Sequence, residues 1–223
     1  MNGDNEKGTV HANPMPRHGY PPRRQLANPG PLGLYAFAAT TLILSLFNVG
    51  ANNIKVPNAV IGMAIFYGGL VQLLAGMWEF ACGNTFGATA FSSYGGFWLS
   101  FACFYVPSSG IAAAYAASED PSQEEAAIGI YLMAWMTITF LFFLGALRKN
   151  IAFVALFFFL TLTFMCLGAA KLSGQANLDI AGGALGIITA LVAFYTGTAE
   201  LLGPDDLFQL PLGRFAPRTP RTA

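Results

Sequence analysis

Glu79 and Glu200 each fall inside an otherwise apolar run, about one turn from its end. A carboxylate at membrane depth is expensive and usually functional. The two could lie at the same depth and share a vestibule, where carboxylates would favour a cation. Each could equally reach the headgroups and be solvated there. Thr41, Asn48, Gln72, Asn84 and Thr85 stand out in a wider uncharged polar set. That set adds Thr40, Ser45, Thr89, Ser92, Ser93, Tyr94, Thr161, Thr163, Thr189 and Thr196. Hydroxyls and amides can ligate a small polar solute without a fixed charge. Singly, each is better read as an interhelical hydrogen bond, worth about 0.6 kcal/mol. Together they suggest a narrow, weakly polar path. No Lys or Arg interrupts the apolar runs.

Other chemistry is excluded by scarcity. Cys82, Cys103 and Cys166 are odd in number and widely spaced, so they form neither a disulfide framework nor a zinc pattern. His11 and His18 both lie in the polar N-terminal stretch, which leaves no His-based metal constellation for a core. No dinucleotide, Walker A, HExxH or GxSxG motif occurs. The expectation is a protein that is not an enzyme and carries no cofactor or metal. Eleven basic residues balance eleven acidic ones without a basic stripe, so a nucleic-acid partner is disfavoured.

The elements that position these residues follow from hydropathy. Only 10% of the 223 residues are charged, 55% are hydrophobic and mean hydropathy is +0.53. A soluble domain carries roughly 25% charged residues, so the expected solvent is lipid. Six apolar runs span 32–51, 60–82, 91–114, 126–147, 151–170 and 180–202. In hydrocarbon such runs must be helices, because every backbone polar group needs an internal partner. The expected fold is therefore an all-α integral membrane protein with six transmembrane helices. Residues 1–27 are expected as a disordered cytoplasmic tail without a signal peptide, 28–203 as the membrane domain and 204–223 as a C-terminal cytoplasmic tail.

Charge sets the orientation. With six spans both termini share a side with Lys7, Arg17, Arg23, Arg24, Arg148, Lys149, Arg214, Arg218 and Arg221. Lys55 and Lys171 fall opposite. The positive-inside rule then makes both termini cytoplasmic. Tyr35–Thr41 and Tyr131–Thr137 agree at Tyr, Ala and the final Thr, a weak sign of an inverted 3+3 repeat. The uncharged segment 82–96 is expected to be a re-entrant or buried turn.

Asn28-Pro29-Gly30-Pro31-Leu32-Gly33-Leu34 is similar to the NPAPLGL signature of the acetate uptake transporters, the succinate–acetate permeases of bacteria and the acetate or ammonia-export proteins of yeasts. Gly30 departs from the family's Ala. The resemblance continues through FNVGA, FYGGLVQ (66–72), Ala75-Gly76, Glu79, NTFG (84–87) and SYGGFW (93–98). It covers about residues 26–202, and the phrase VPNAVIGMAIFYGGLVQLLAGMWE looks fungal.

The resemblance implies six helices, a homohexamer among membrane lipids at the cell surface, and a pathway in each protomer for acetate and related monocarboxylates. Transport would be proton-coupled or channel-like. It implies a hydrophobic constriction that falls here on Phe37, Tyr94 and Leu160, and polar pathway positions at Gln72, Glu79 and Asn84. The Tyr94 hydroxyl could hydrogen-bond a passing carboxyl. Two other functions remain open: an ammonia or ammonium exporter using Glu79 and Glu200, and a non-transporting receptor or scaffold.

Overall fold

The computed structural model describes residues 26–213 and 215. His11, His18, Lys7, Arg17, Arg23, Arg24, Arg214, Arg218 and Arg221, with most of the expected tails, lie outside the described residues. Within them the regular elements are helical. Six long helices are α1 (Gly30–Asn48), α2 (Pro57–Cys82), α3 (Thr85–Ala102), α4 (Gln123–Ala146), α5 (Ile151–Ser173) and α6 (Ala176–Leu201). Five of them, all but α3, are long and apolar enough to cross a membrane.

The exception has a physical reason. α3 carries Gly, Ser and Thr along much of its length, yet Gly87, Ala88, Ala90, Phe91, Tyr94, Gly95, Phe97, Trp98, Phe101 and Ala102 are buried. A helix wrapped by protein need not present apolar groups to lipid. Segment 82–96, expected as a re-entrant or buried turn, is instead mostly this helix. Gly83 ends α2 in the left-handed conformation (φ 79°), and Asn84 caps α3 by accepting the Gly87 N–H at 3.1 Å. Lack of charge there signals burial, not a turn. The third run also stops early, at Ala102. Pro107 holds Val106 extended, and a short helix, Ile111–Ala116, follows.

The helices alternate in direction. α1 and α6 run antiparallel along a small-residue seam: Gly197 lies against Leu34 and Tyr35, Gly186 against Ser45, and Gly183 against Asn48 and Val49. Gly76 and Gly95 join α2 to α3, where an added Cβ at Gly95 would lie 2.8 Å from the Leu73 backbone nitrogen. The middle of α2, Met63–Val71, winds as a π-helix. Gly68 in this stretch brings its backbone against Thr40 of α1.

α1, α3 and α5 therefore begin at one end of the bundle, called proximal below, and end at the other, called distal. The segment after α6 folds back over the proximal end. Leu212 and Gly213 carbonyls accept the Ala152 and Ile151 N–H groups at 3.3 and 3.0 Å, and the Tyr195 hydroxyl donates to the Pro211 carbonyl at 2.7 Å. This strap satisfies donors that the first turn of α5 would otherwise leave unpaired.

Candidate functional site

Phe37 of α1, Tyr94 of α3 and Leu160 of α5 are buried in one hydrophobic cluster, at 4%, 2% and 2% exposure. The Phe37 and Tyr94 rings lie 5.5 Å apart between centroids, tilted by 57°. Tyr94 is further wedged among Trp135, Phe142 and Phe157. Its hydroxyl shares a 2.9 Å hydrogen bond with the Thr139 hydroxyl of α4. The phenol expected to meet a passing carboxyl is thus already held by a side chain that the sequence did not single out.

A cavity approaches this cluster from each end. The proximal one, about 180 Å³, reaches Phe37 and Tyr94. The distal one, about 690 Å³, reaches Phe37 and Leu160. Phe37 borders both.

Three helix starts gather at the proximal end, each opened by an asparagine. Asn28 Oδ1 accepts the Gly30 N–H at 2.9 Å, Asn84 Oδ1 accepts from Gly87, and Asn150 Oδ1 accepts the Phe153 N–H at 2.8 Å. Asn84 and Asn150 line the cavity. Helix N-termini carry partial positive charge and favour anions. Two carboxylates offset it. Glu79 (3% exposed) and Glu200 line the same cavity and converge on Gly30. A Cβ on Gly30 would strike Glu200 Oε2 and lie 3.4 Å from Glu79 Oε1. These contacts are with the far ends of flexible side chains, so the signature's Ala would fit here after a small shift of the carboxylates. Pro29 and Pro31 start α1, and Gly33 admits the Phe91 ring, whereas Leu32 points outward at 47% exposure. Gln72, fully buried, faces the cavity with both amide atoms lacking a partner among the described residues.

The distal cavity carries Thr41 and Asn48 on α1 and charged groups at its mouth. Lys171 Nζ pairs with Glu125 Oε2 at 2.8 Å. Thr85 does not join either lining and is exposed.

No Lys or Arg interrupts the apolar runs, but cations line both cavities from the ends of those runs and from loops. Lys149 lines the proximal cavity, its Nζ 5.3 Å from the centre of the Phe86 ring, and Lys55 and Lys171 line the distal one. Lys171 lies in the last turn of α5, which extends past the apolar run to Ser173. Of the two cavities, Lys149 lines the proximal one alone and Lys171 the distal one alone. Thr139, Lys149 and Asn150 were missed as site residues. For Asn150 a signal existed, an Asn immediately before an apolar run. Thr139 had none, because one Thr among many marks nothing.

A family model described as the GPR1/FUN34/yaaH family matches residues 10–215. The chain is 49% identical over 180 residues to "Ammonia transport outward protein 2" of Saccharomyces cerevisiae, covering 81% of this chain and 63% of that protein. It is 45% identical over 201 residues to "Acetate permease A" of Emericella nidulans, covering 86% and 67%. The chain thus spans about two thirds of the length of these fungal relatives. Among solved structures, "Structure of the bacterial acetate channel SatP" superposes with a TM-score of 0.74 at 36% identity, over 84% of this chain and 99% of that one.

Proposed function

This chain belongs to the GPR1/FUN34/yaaH family, and from that membership we propose that it carries acetate and related short monocarboxylates across a membrane, through a pathway within each protomer pinched by Phe37, Tyr94 and Leu160. One observation carries the reading: cavities from opposite ends of the bundle both stop at Phe37. The proximal cavity is the cytoplasmic one and all six helices span the plasma membrane, with α3 sheltered by the others. The two triplets of helices form an inverted pair, and protomers assemble as a hexamer.

Magnitudes decide the form in which the acid crosses. An ordinary carboxyl titrates near about 4.3, so neutralising it at pH 7 requires about 3.7 kcal/mol. Taking an unpaired carboxylate through an apolar plug requires several kcal/mol at least, by idealised estimates about 20. The neutral acid is then the better traveller. The helix starts and lysines at either mouth collect the anion, and the proton enters the plug with the acid.

A second reading draws on Glu79 and Glu200. Two carboxylates meeting at Gly30 suit a cation, as an ammonium exporter would require. Purified protein in proteoliposomes separates the two. Labelled acetate uptake that rises on acidifying the outside, with weaker methylammonium flux, supports the acid pathway. Acetate uptake no greater than in empty vesicles overturns it.

A further inference from the structure

We propose that the strap after α6 is a positioning device for transport: Tyr195, Pro211, Leu212 and Gly213 seat the start of α5 so that Lys149 is held at the proximal cavity. It deepens the acid-transport reading above and rests on it.

The link that carries Lys149 is short, because α4 ends at Ala146 and α5 begins at Ile151. On its α4 side the Lys149 N–H donates to the Ala146 carbonyl at 2.8 Å. On its α5 side Asn150 is extended (φ −159°, ψ 167°) and buried. The first turn of a helix leaves its N–H groups without intrahelical partners. Asn150 supplies two acceptors here: its side chain takes the Phe153 N–H, and its carbonyl takes the Val154 N–H at 3.2 Å. The strap supplies the other two, the Gly213 carbonyl to Ile151 and the Leu212 carbonyl to Ala152. The link is therefore clamped at the residue after Asn150 by a segment from beyond α6.

The strap is itself held at three points. The Gly203 N–H donates to Asp206 Oδ2 at 2.6 Å where the chain leaves α6. The Tyr195 hydroxyl, about two turns before the end of α6, anchors the Pro211 carbonyl. Gly213 is left-handed (φ 67°) and lies against Ile151, whose side chain an added Cβ would approach to 2.9 Å. None of Tyr195, Pro211, Leu212 and Gly213 lines either cavity. Any effect of theirs on acetate therefore passes through what they hold. Lys149, beside the clamp, lines the proximal cavity with its Nζ over the ring of Phe86, which lines it too from α3. Attraction between an ammonium and an anion weakens with distance and with exposure to water. Loosening the link lets the Lys149 ammonium swing away from the mouth, so the strap sets how well that mouth collects the acid.

The test uses the full chain in vesicles sorted to one orientation, at low ionic strength. Half-saturating acetate is measured from the proximal face and from the distal face. Gly213→Ala forces the strap off Ile151, and Tyr195→Phe leaves the Pro211 carbonyl without its donor while keeping the ring. If the first variant does not fold, the second carries the test. Each is expected to raise the proximal value about two- to threefold and to leave the distal value unchanged. In a Lys149→Gln background neither should add a further increase, because residues that act through one another are not additive. Amine-reactive labelling of Lys149, read by mass spectrometry, follows its seating without any transport and should rise in both variants. Unchanged labelling, an unchanged proximal value, or an increase that persists in full without Lys149 overturns the proposal. So does an equal change from both faces, the mark of general loosening. A parent protein that carries no acetate overturns the transport reading instead, and raised labelling in the variants then keeps the seating of Lys149 by the strap.

Discussion

Phe37 and Tyr94 meet ring against ring, 5.5 Å between centroids, and Phe37 touches the cavity on either side of that contact. A tilted aromatic pair adds about 0.5–1.5 kcal/mol beyond the area it buries. That contact is therefore cohesive but weak, and in the pathway proposed above it is the Phe37 ring that would yield. Tyr94 is the fixed side of the pair, because its ring is packed on three further aromatics and its hydroxyl is held by Thr139.

Tyr94→Phe is expected to act on stability more than on flux. It leaves the Thr139 hydroxyl buried without its partner, which destabilises by about 1–3 kcal/mol. Adding Thr139→Val removes the orphan and should restore most of that loss. Thermal unfolding of the single and double variants measures both steps, with acetate flux in Tyr94→Phe staying within about threefold of the parent.

Neighbouring glycines on α3 should respond in opposite ways. A Cβ at Gly95 would lie 2.8 Å from the Leu73 backbone nitrogen, whereas at Gly96 nothing stands within 4 Å. Gly95→Ala must push α2 from α3 and should destabilise by about 1–3 kcal/mol, as overpacking does. Gly96→Ala should be neutral or slightly stabilising. Unfolding midpoints of the two purified variants check this, and equal midpoints contradict the packing of α3 against α2.

Much of this was legible in the residues, and the failures share a cause. Five helices follow from continuous apolar runs, with ends within a few residues of those read. α3 was half missed because hydropathy reports contact with lipid, and α3 is buried in protein. Its start was visible all the same in Gly83-Asn84, a left-handed stop followed by a cap. Sequence spacing within one helix shows that Thr41 follows Phe37. It does not show that Trp98 joins Thr41 in lining the distal cavity, because that depends on how α1 and α3 pack. Lys149 and Lys171 stand at the ends of apolar runs in the sequence, and a flexible side chain at a helix end can still reach into a mouth, which no run of residues reveals.

Glu79→Gln keeps the shape of a buried side chain and removes its charge. If the proton travels on the acid, uptake in this variant stays within about threefold of the parent and keeps its pH dependence. The sign is set by the substrate. As external pH falls toward a carboxyl pKa of about 4.3, the neutral fraction grows about tenfold per unit, then levels off below it. Uptake measured across that range checks this. A flat profile in Glu79→Gln would assign the proton to Glu79 instead.

Lys149 should concentrate the anion at the proximal mouth. Lys149→Gln is expected to raise the half-saturating acetate concentration on the proximal side about two- to fivefold at low ionic strength. The difference should vanish in high salt, where such attraction is screened. Counterflow from the proximal face measures it, and an effect indifferent to salt would contradict an electrostatic role.

The most direct test varies the size of the plug alone. Acetate flux is measured in one vesicle preparation for Phe37→Ala, the parent and Phe37→Trp, each verified as folded. Flux is expected to fall in that order, with Phe37→Ala also admitting longer monocarboxylates. Equal acetate flux in all three would mean that the acid does not pass Phe37, and would contradict a route through the two cavities.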